Sequence, residues 1–160
     1  MNIAQYTKAA SLEEAWELNQ KRSAVVLGGC CWLRLSPQRR IAQAIDLSAL
    51  GLDQIEEGED SFRLGAMVTL GQLEGHDGLA AFTQGAMKEA VRHIVGTQFR
   101  NMATVGGSIS GRFGFSDIWT LFLALDAQVE LYKGGIVSLG DFGQPGPGKD
   151  IVTPLLIPKK

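Results

Sequence analysis

The sequence predicts an α+β fold in two lobes, a small parallel α/β lobe over residues 1–54 followed by a mainly antiparallel sheet lobe with helices over residues 55–160. Three observations carry this. Short apolar runs alternate with a helix signature up to about residue 54, as a βαβ unit requires. Beyond Ile55, apolar and polar residues alternate with period two, the mark of half-buried strands. Between those strands, apolar residues recur at helical spacing.

The first lobe opens with Ile3 to Tyr6 as a short strand. Ser11 followed three residues later by Glu14 is a capping-box signature, and it starts a helix carrying Ala15, Trp16 and Leu18. Ala24 to Leu27 is a second strand that stops at Gly28 and Gly29. A basic loop at Arg39 and Arg40 then leads to a third strand, Ile45 to Leu47. In the second lobe Phe62 and Leu64 alternate with Ser61 and Arg63, and Val129 and Leu131 alternate with Gln128 and Glu130. Lys133-Gly134-Gly135 reads as a hairpin turn with both glycines at positive φ, returning through Ile136 to Leu139. Phe82, Ala86, Ala90 and Ile94, with Met87 and Val91 beside them, predict one amphipathic helix from Leu79 to Val95. Ile118 to Leu125 is apolar on all sides, as a fully buried helix is. Gly140 to Gly148 reads as a loop before the last apolar run, Ile151 to Ile157.

Bulk properties exclude several functions. With 15 basic and 17 acidic residues the formal charge is −2, which leaves no basic excess for nucleic acid or an anionic membrane. No apolar stretch is long enough to span a bilayer, and the first residues lack a secretory signal, so the expected location is cytoplasmic. Cys30 and Cys31 are adjacent, too close for an unstrained disulfide and too few to ligate an iron–sulfur cluster. His76 and His93 lack metal-ligand spacing and are expected in solvent. Trp16, Trp32 and Trp119 are expected in the core or between the lobes. No residue pattern points to a catalytic acid, base or nucleophile.

Two glycine loops carry the chemistry. The first runs Val26-Leu27-Gly28-Gly29-Cys30-Cys31-Trp32, and the second Thr104-Val105-Gly106-Gly107-Ser108. Glycine lets the backbone approach a ligand closely, and successive N–H groups can converge into an anion nest without any cationic side chain. A diphosphate suits such loops. Neither is a Walker A loop, and the G-x-G-x-x-G dinucleotide fingerprint is absent after Leu27.

The order of these loops, with Arg100-Asn101-Met102-Ala103-Thr104-Val105-Gly106-Gly107 followed by Ser116-Asp117, resembles the FAD-binding subunits of molybdenum hydroxylases of the xanthine and carbon monoxide dehydrogenase type. In that family the loops read approximately A-G-G-T-D-L and R-N-x-A-T-I-G-G-N, and both clasp the FAD pyrophosphate between two lobes. The resemblance covers the whole chain and implies a two-lobe FAD-binding fold. It places Val26 to Trp32 and Thr104 to Ser108 on the phosphates and Asp117 on FAD, with Ile94 and Val152 beside the cofactor. Cys30 and Cys31 stand where the family has a hydroxyl and an acid, so the Cys30 thiol is expected to face the pyrophosphate. The implied function is electron transfer from iron–sulfur clusters through FAD to NAD⁺ or another acceptor, with the substrate chemistry at a molybdopterin-bearing partner subunit. The resemblance implies a C-terminal domain that this sequence does not show, and the face it would cover is expected to drive self-association, a homo-oligomer being the simpler outcome, or to require a partner chain. A second reading is a truncated or degenerate family member, an assembly module with weak or no FAD binding.

Overall fold

A computed structural model describes residues 2–35 and 40–160. The first lobe is a three-stranded parallel sheet made of β1 (Asn2–Lys8), β2 (Ala24–Leu27) and β3 (Arg40–Asp46), in the order β1-β3-β2. Ile45 of β3 pairs with both Thr7 and Val26, which makes β3 the central strand. Ile41, Ala44 and Ile45 are fully buried there, and the buried Gln43 amide donates to Thr7 Oγ1 and the Ala44 carbonyl. The third strand thus begins at Arg40 and ends before Leu47, longer than the expected Ile45 to Leu47. The expected basic loop is corrected at Arg40, which belongs to the strand, and Arg39 lies outside the described residues.

Helix α1 (Leu12–Asn19) crosses between β1 and β2. Ser11 Oγ accepts from the Glu14 amide at 3.1 Å, while the Glu14 carboxylate accepts from Ala10 N at 2.7 Å, one residue before the N-cap. The capping box is therefore displaced by one position.

The second sheet comprises β4 (Ile55–Glu57), β5 (Ser61–Gly65), β6 (Gln128–Leu131), β7 (Gly135–Ser138) and β8 (Val152–Pro158), all antiparallel in the order β4-β5-β8-β6-β7. The last apolar run is the middle strand: Leu155 pairs with Leu64 on one side and Val129 on the other, all fully buried. In the β6–β7 turn only Gly135 takes positive φ, 71°, so one glycine meets the conformational demand expected of two.

Helices α2 (Leu70–Glu74), α3 (Asp77–Phe82), α4 (Ala86–Arg92), α5 (Thr97–Arg100), α6 (Val105–Gly111), α7 (Asp117–Ala124) and α8 (Leu139–Phe142) cover this sheet. The single helix expected from Leu79 to Val95 is two. Gln84 and Gly85 adopt φ of 51° and 87°, which no right-handed helix can continue through, and Thr83 Oγ1 accepts the Met87 amide to start α4 afresh. The buried face is Leu79, Met87 and Val91, whereas Ala86 is exposed. Helix α7 buries Ile118 and Phe122 but leaves Leu123 46% exposed, so it is one-sided rather than fully buried. The expected loop after Leu139 begins as α8, because Ser138 caps it and Leu139 and Phe142 enter the core.

The two sheets meet through both cores and polar contacts. Ile151, just before β8, packs with Ala9, Ala15, Ile45 and Leu47 of the first lobe. Asn19 donates to the Lys149 carbonyl at 3.0 Å, and Glu13 accepts from Tyr132 Oη at 2.6 Å and Lys133 Nζ at 2.9 Å. Among the described residues no helix is long and apolar enough to cross a membrane.

Candidate functional site

A cleft of about 1060 Å³ lies between the lobes. One wall is β2, the glycine loop after it and the 3-10 turn Leu33–Leu35; the other is the start of α6, the α6–α7 connection and the segment from His93 to Phe99. Val26, Leu27, Gly28, Gly29, Cys30, Cys31, Trp32, Thr104, Gly106, Gly107, Ser108 and Asp117 all line it, as do Ile94 and Val152. Val105 does not: its side chain is fully buried in the core of the second lobe.

The first glycine pair is explained by close packing of the two loops. A Cβ on Gly29 would stand 1.8 Å from the Met102 carbonyl oxygen, and one on Gly28 would stand 2.7 Å from Thr104 Oγ1. Neither glycine is left-handed; the positive φ of this loop belongs to Cys30, at 60°. Thr104 is the node of the contact. Its Oγ1 caps α6 by accepting from Gly107 N at 3.2 Å, and its backbone bridges Thr69, which caps α2 in a capping box with Gln72. Two helix starts are thus held back to back against the first loop.

Hydrogen-bond accounting separates the loops. In the second loop Val105 N donates to Val68 O and Gly106 N to Ala66 O, each at 2.8 Å, and Ser108 N donates to Thr104 O at 2.9 Å. With Gly107 N on Thr104 Oγ1, the amides from Val105 to Ser108 are all committed, and the expected convergence of free amides there is absent. A Cβ on Gly106 would lie 2.7 Å from Ala66 O, so this glycine also serves packing. In the first loop the amides of Gly28, Gly29, Cys30, Cys31 and Trp32 have no acceptor among the described residues. These five consecutive amides flank the left-handed Cys30 and make this stretch of the cleft wall rich in donors.

Among the described residues no lysine or arginine lines the cleft; its ionisable groups there are Asp117, Asp150, His93 and the two thiols. Asp150 is engaged with the amides of Lys133, Gly134 and Ile151. Asp117 is exposed and makes no hydrogen bond among the described residues; Ser116, not Asp117, caps α7. The Cys30 thiol turns back to donate to the Gly28 carbonyl at 3.4 Å, and Cys31 does the same to Gly29 at 3.6 Å. Cys30 therefore spends its proton inside its own loop. Burial pushes both thiols up from their ordinary pKa, which keeps them protonated at neutral pH and poor nucleophiles.

Trp32, expected in the core or between the lobes, stands between them, 47% exposed at the cleft with its ring centroid 5.2 Å from Phe113 and 5.7 Å from Phe115. The two phenylalanines escaped the sequence reading. Phe113 and Phe115, spaced by one glycine just before Ser116-Asp117, were visible as an aromatic pair in a glycine-rich stretch. His93 is exposed as expected, but on the cleft rim. Trp119 stacks on Phe142 and donates to the Ile109 carbonyl, which supports the base of α6. Arg100, buried, donates to Glu74 at 2.8 Å, to Ile94 O at 3.3 Å and to Thr97 Oγ1 at 3.4 Å, so it pins the His93 to Phe99 wall from behind. Among the described residues no group of three or more histidine, cysteine or acidic side chains could hold a metal.

Comparison with known proteins gives consistent matches. Residues 2–160 match the family described as the FAD binding domain in molybdopterin dehydrogenase. The chain is 32% identical over 143 residues to the Escherichia coli K12 protein YgfM, covering 88% of this chain and 54% of that one. It is 31% identical over 159 residues to the xanthine dehydrogenase FAD-binding subunit of Escherichia coli O157:H7, covering 92% of this chain and 53% of the subunit. A crystal structure of the Cu,Mo-CO dehydrogenase in its cyanide-inactivated form superposes with a TM-score of 0.89 at 26% identity, over 99% of this chain and 60% of the other. The chain spans about half the length of these curated relatives.

Proposed function

The chain belongs to the family of FAD-binding domains of molybdopterin dehydrogenases, and from that premise we propose that it carries FAD in the interlobe cleft as the flavin module of a molybdenum hydroxylase complex. The carrying observation is the run of amides from Gly28 to Trp32 on the cleft wall that have no acceptor among the described residues.

The donor set fits the cofactor. A diphosphate needs hydrogen-bond donors, and with no cationic side chain on the cleft among the described residues the backbone of the first loop supplies them. The volume, about 1060 Å³, sits at the upper end of small-molecule sites, as an elongated dinucleotide requires. The second loop has a supporting role, since its amides are spent and its glycines let it pack against the first. Gly106, Gly107, Thr104 and Ser108 shape the floor. An ionised carboxylate only accepts hydrogen bonds, so Asp117 meets hydroxyl or amine donors of the cofactor and stays clear of its phosphates. Ile94 and Val152 give the cleft apolar contact.

When bound, the flavin would supply redox chemistry between an iron–sulfur partner and NAD⁺ or another acceptor. The protein holds and orients the cofactor and contributes no acid or base. The molybdopterin-bearing and iron–sulfur partners, and a cytoplasmic setting in which both thiols stay reduced, belong to this proposal. The donor-rich stretch favours it over a bare assembly module, because five consecutive amides without an acceptor among the described residues, on the wall of a cleft of this volume, suit an anionic ligand.

The test is an absorbance spectrum of the purified chain before and after incubation with FAD and gel filtration. The expected result is a retained flavin band near one equivalent; a colourless protein after incubation overturns the proposal.

A further inference from the structure

We propose that Trp32, Phe113 and Phe115 form a ring-binding site at the end of the cleft and that its occupant is the adenine of the dinucleotide; this rests on the flavin reading above. The rings come from opposite walls, Trp32 from the first loop and the two phenylalanines from the α6–α7 connection. Phe113 and Phe115 lie at 5.3 Å with planes 20° apart, and Trp32 leans on both at 45° and 60°. Trp32 is 47% and Phe115 69% exposed, an uncommon cost for large aromatics unless something flat covers them. Phe113 can lie where it does because Gly111 has no side chain: a Cβ there would stand 2.5 Å from its ring.

Position selects adenine over isoalloxazine. Trp32 itself belongs to the stretch of amides without an acceptor among the described residues, so a ring on Trp32 is separated from a diphosphate on Gly28 to Cys31 by little more than one residue of backbone. A single ribose spans that gap. The flavin ring hangs on a longer, flexible five-carbon ribityl chain and reaches the remaining cleft. Asp117, two residues beyond Phe115, is placed on the same cleft with unspent acceptors for ribose hydroxyls. Stacking on aromatic faces tolerates any base and needs no hydrogen-bond code.

The experiment is calorimetric titration of the full chain and of Trp32→Ala, Phe115→Ala and Trp32→Phe with FAD, with ADP (adenine without flavin) and with FMN (flavin without adenine). Each alanine variant is expected to weaken ADP and FAD about tenfold, the usual order for loss of one stacked ring, while leaving FMN within about twofold. Trp32→Phe, which keeps a π face, is expected to retain most of the affinity and controls for misfolding. Unchanged ADP affinity in both alanine variants overturns the ring site, as does a loss for FMN equal to that for ADP. If the unaltered chain binds neither FAD nor ADP, the flavin reading itself fails, and the ring site with it.

Discussion

A methyl group on Gly29 would stand 1.8 Å from a backbone oxygen that cannot swing away, so Gly29→Ala must push the two loops apart. We expect a loss of at least about 1 to 3 kcal/mol in urea unfolding, together with weakened FAD binding. Gly114→Ala is the control: nothing lies within 4 Å of its Cβ, and stability should move by no more than about 0.5 kcal/mol. Val95 presents the opposite case, a β-branched residue at φ 52° and 78% exposed. A left-handed conformation costs a non-glycine residue about 1 to 2 kcal/mol, against about 0.5 to 1 kcal/mol of extra chain entropy lost by glycine. Val95→Gly should therefore raise stability by about 0.5 to 1 kcal/mol, read as a higher urea midpoint at unchanged slope. The glycine pairs themselves were legible in the sequence. Their reasons were not, because a sequence does not show which surface will approach a glycine, and here it is the other loop. The same gap hid the turn of the Cys30 thiol onto Gly28.

Helices α3 and α4 share one apolar periodicity, yet the chain breaks between them because Gly85 is left-handed at 87° with open space around it. Gly85→Ala meets no neighbour, so its cost is conformational, about 1 kcal/mol after allowing for the stiffer unfolded chain. A melting-temperature comparison measures it; an unchanged melt would mean that α3 and α4 can fuse. Periodicity reports which residues want burial and is blind to a left-handed interruption, which explains why the strands and α7 were legible and this break was not. Helix α5 depends on Arg100, whose buried guanidinium is held by Glu74. Glu74→Ala leaves that charge without its carboxylate and should cost about 1.5 to 3 kcal/mol, the range for a hydrogen bond to a charged group. The variant should also loosen the His93 to Phe99 wall, detectable as faster amide exchange from Ile94 to Thr97.

Across the whole molecule, the lobes are joined by the Glu13, Tyr132 and Lys133 clasp and by the Ile151 plug into the first core. Hydrogen bonds from Tyr132 and then Lys133 hold the Glu13 carboxyl below its ordinary range, and the same contacts push Tyr132 and Lys133 up. A depressed acid stabilises the fold above its unfolded pKa and loses that contribution as pH falls through its folded value. A raised tyrosine or lysine contributes below its unfolded pKa and loses it as pH rises through the folded value. The clasp should therefore hold across neutral pH and weaken at both extremes, and Glu13→Gln should flatten the acid limb of the stability profile; parallel profiles would mean that the clasp contributes nothing. The two-lobe division was legible because parallel and antiparallel strands carry different apolar patterns. The clasp was not, since Glu13 and Lys133 are 120 residues apart and nothing local links them. We propose that the first loop, through its own amides, holds the cofactor diphosphate while the second loop only supports it. Backbone NMR of the isotope-labelled chain titrated with FAD tests this most directly. The amides of Gly28 to Trp32 should shift and gain exchange protection on binding, while Val105 and Gly106 are already protected without it. Large shifts confined to Val105 to Ser108, with Gly28 to Trp32 unmoved, would contradict the account.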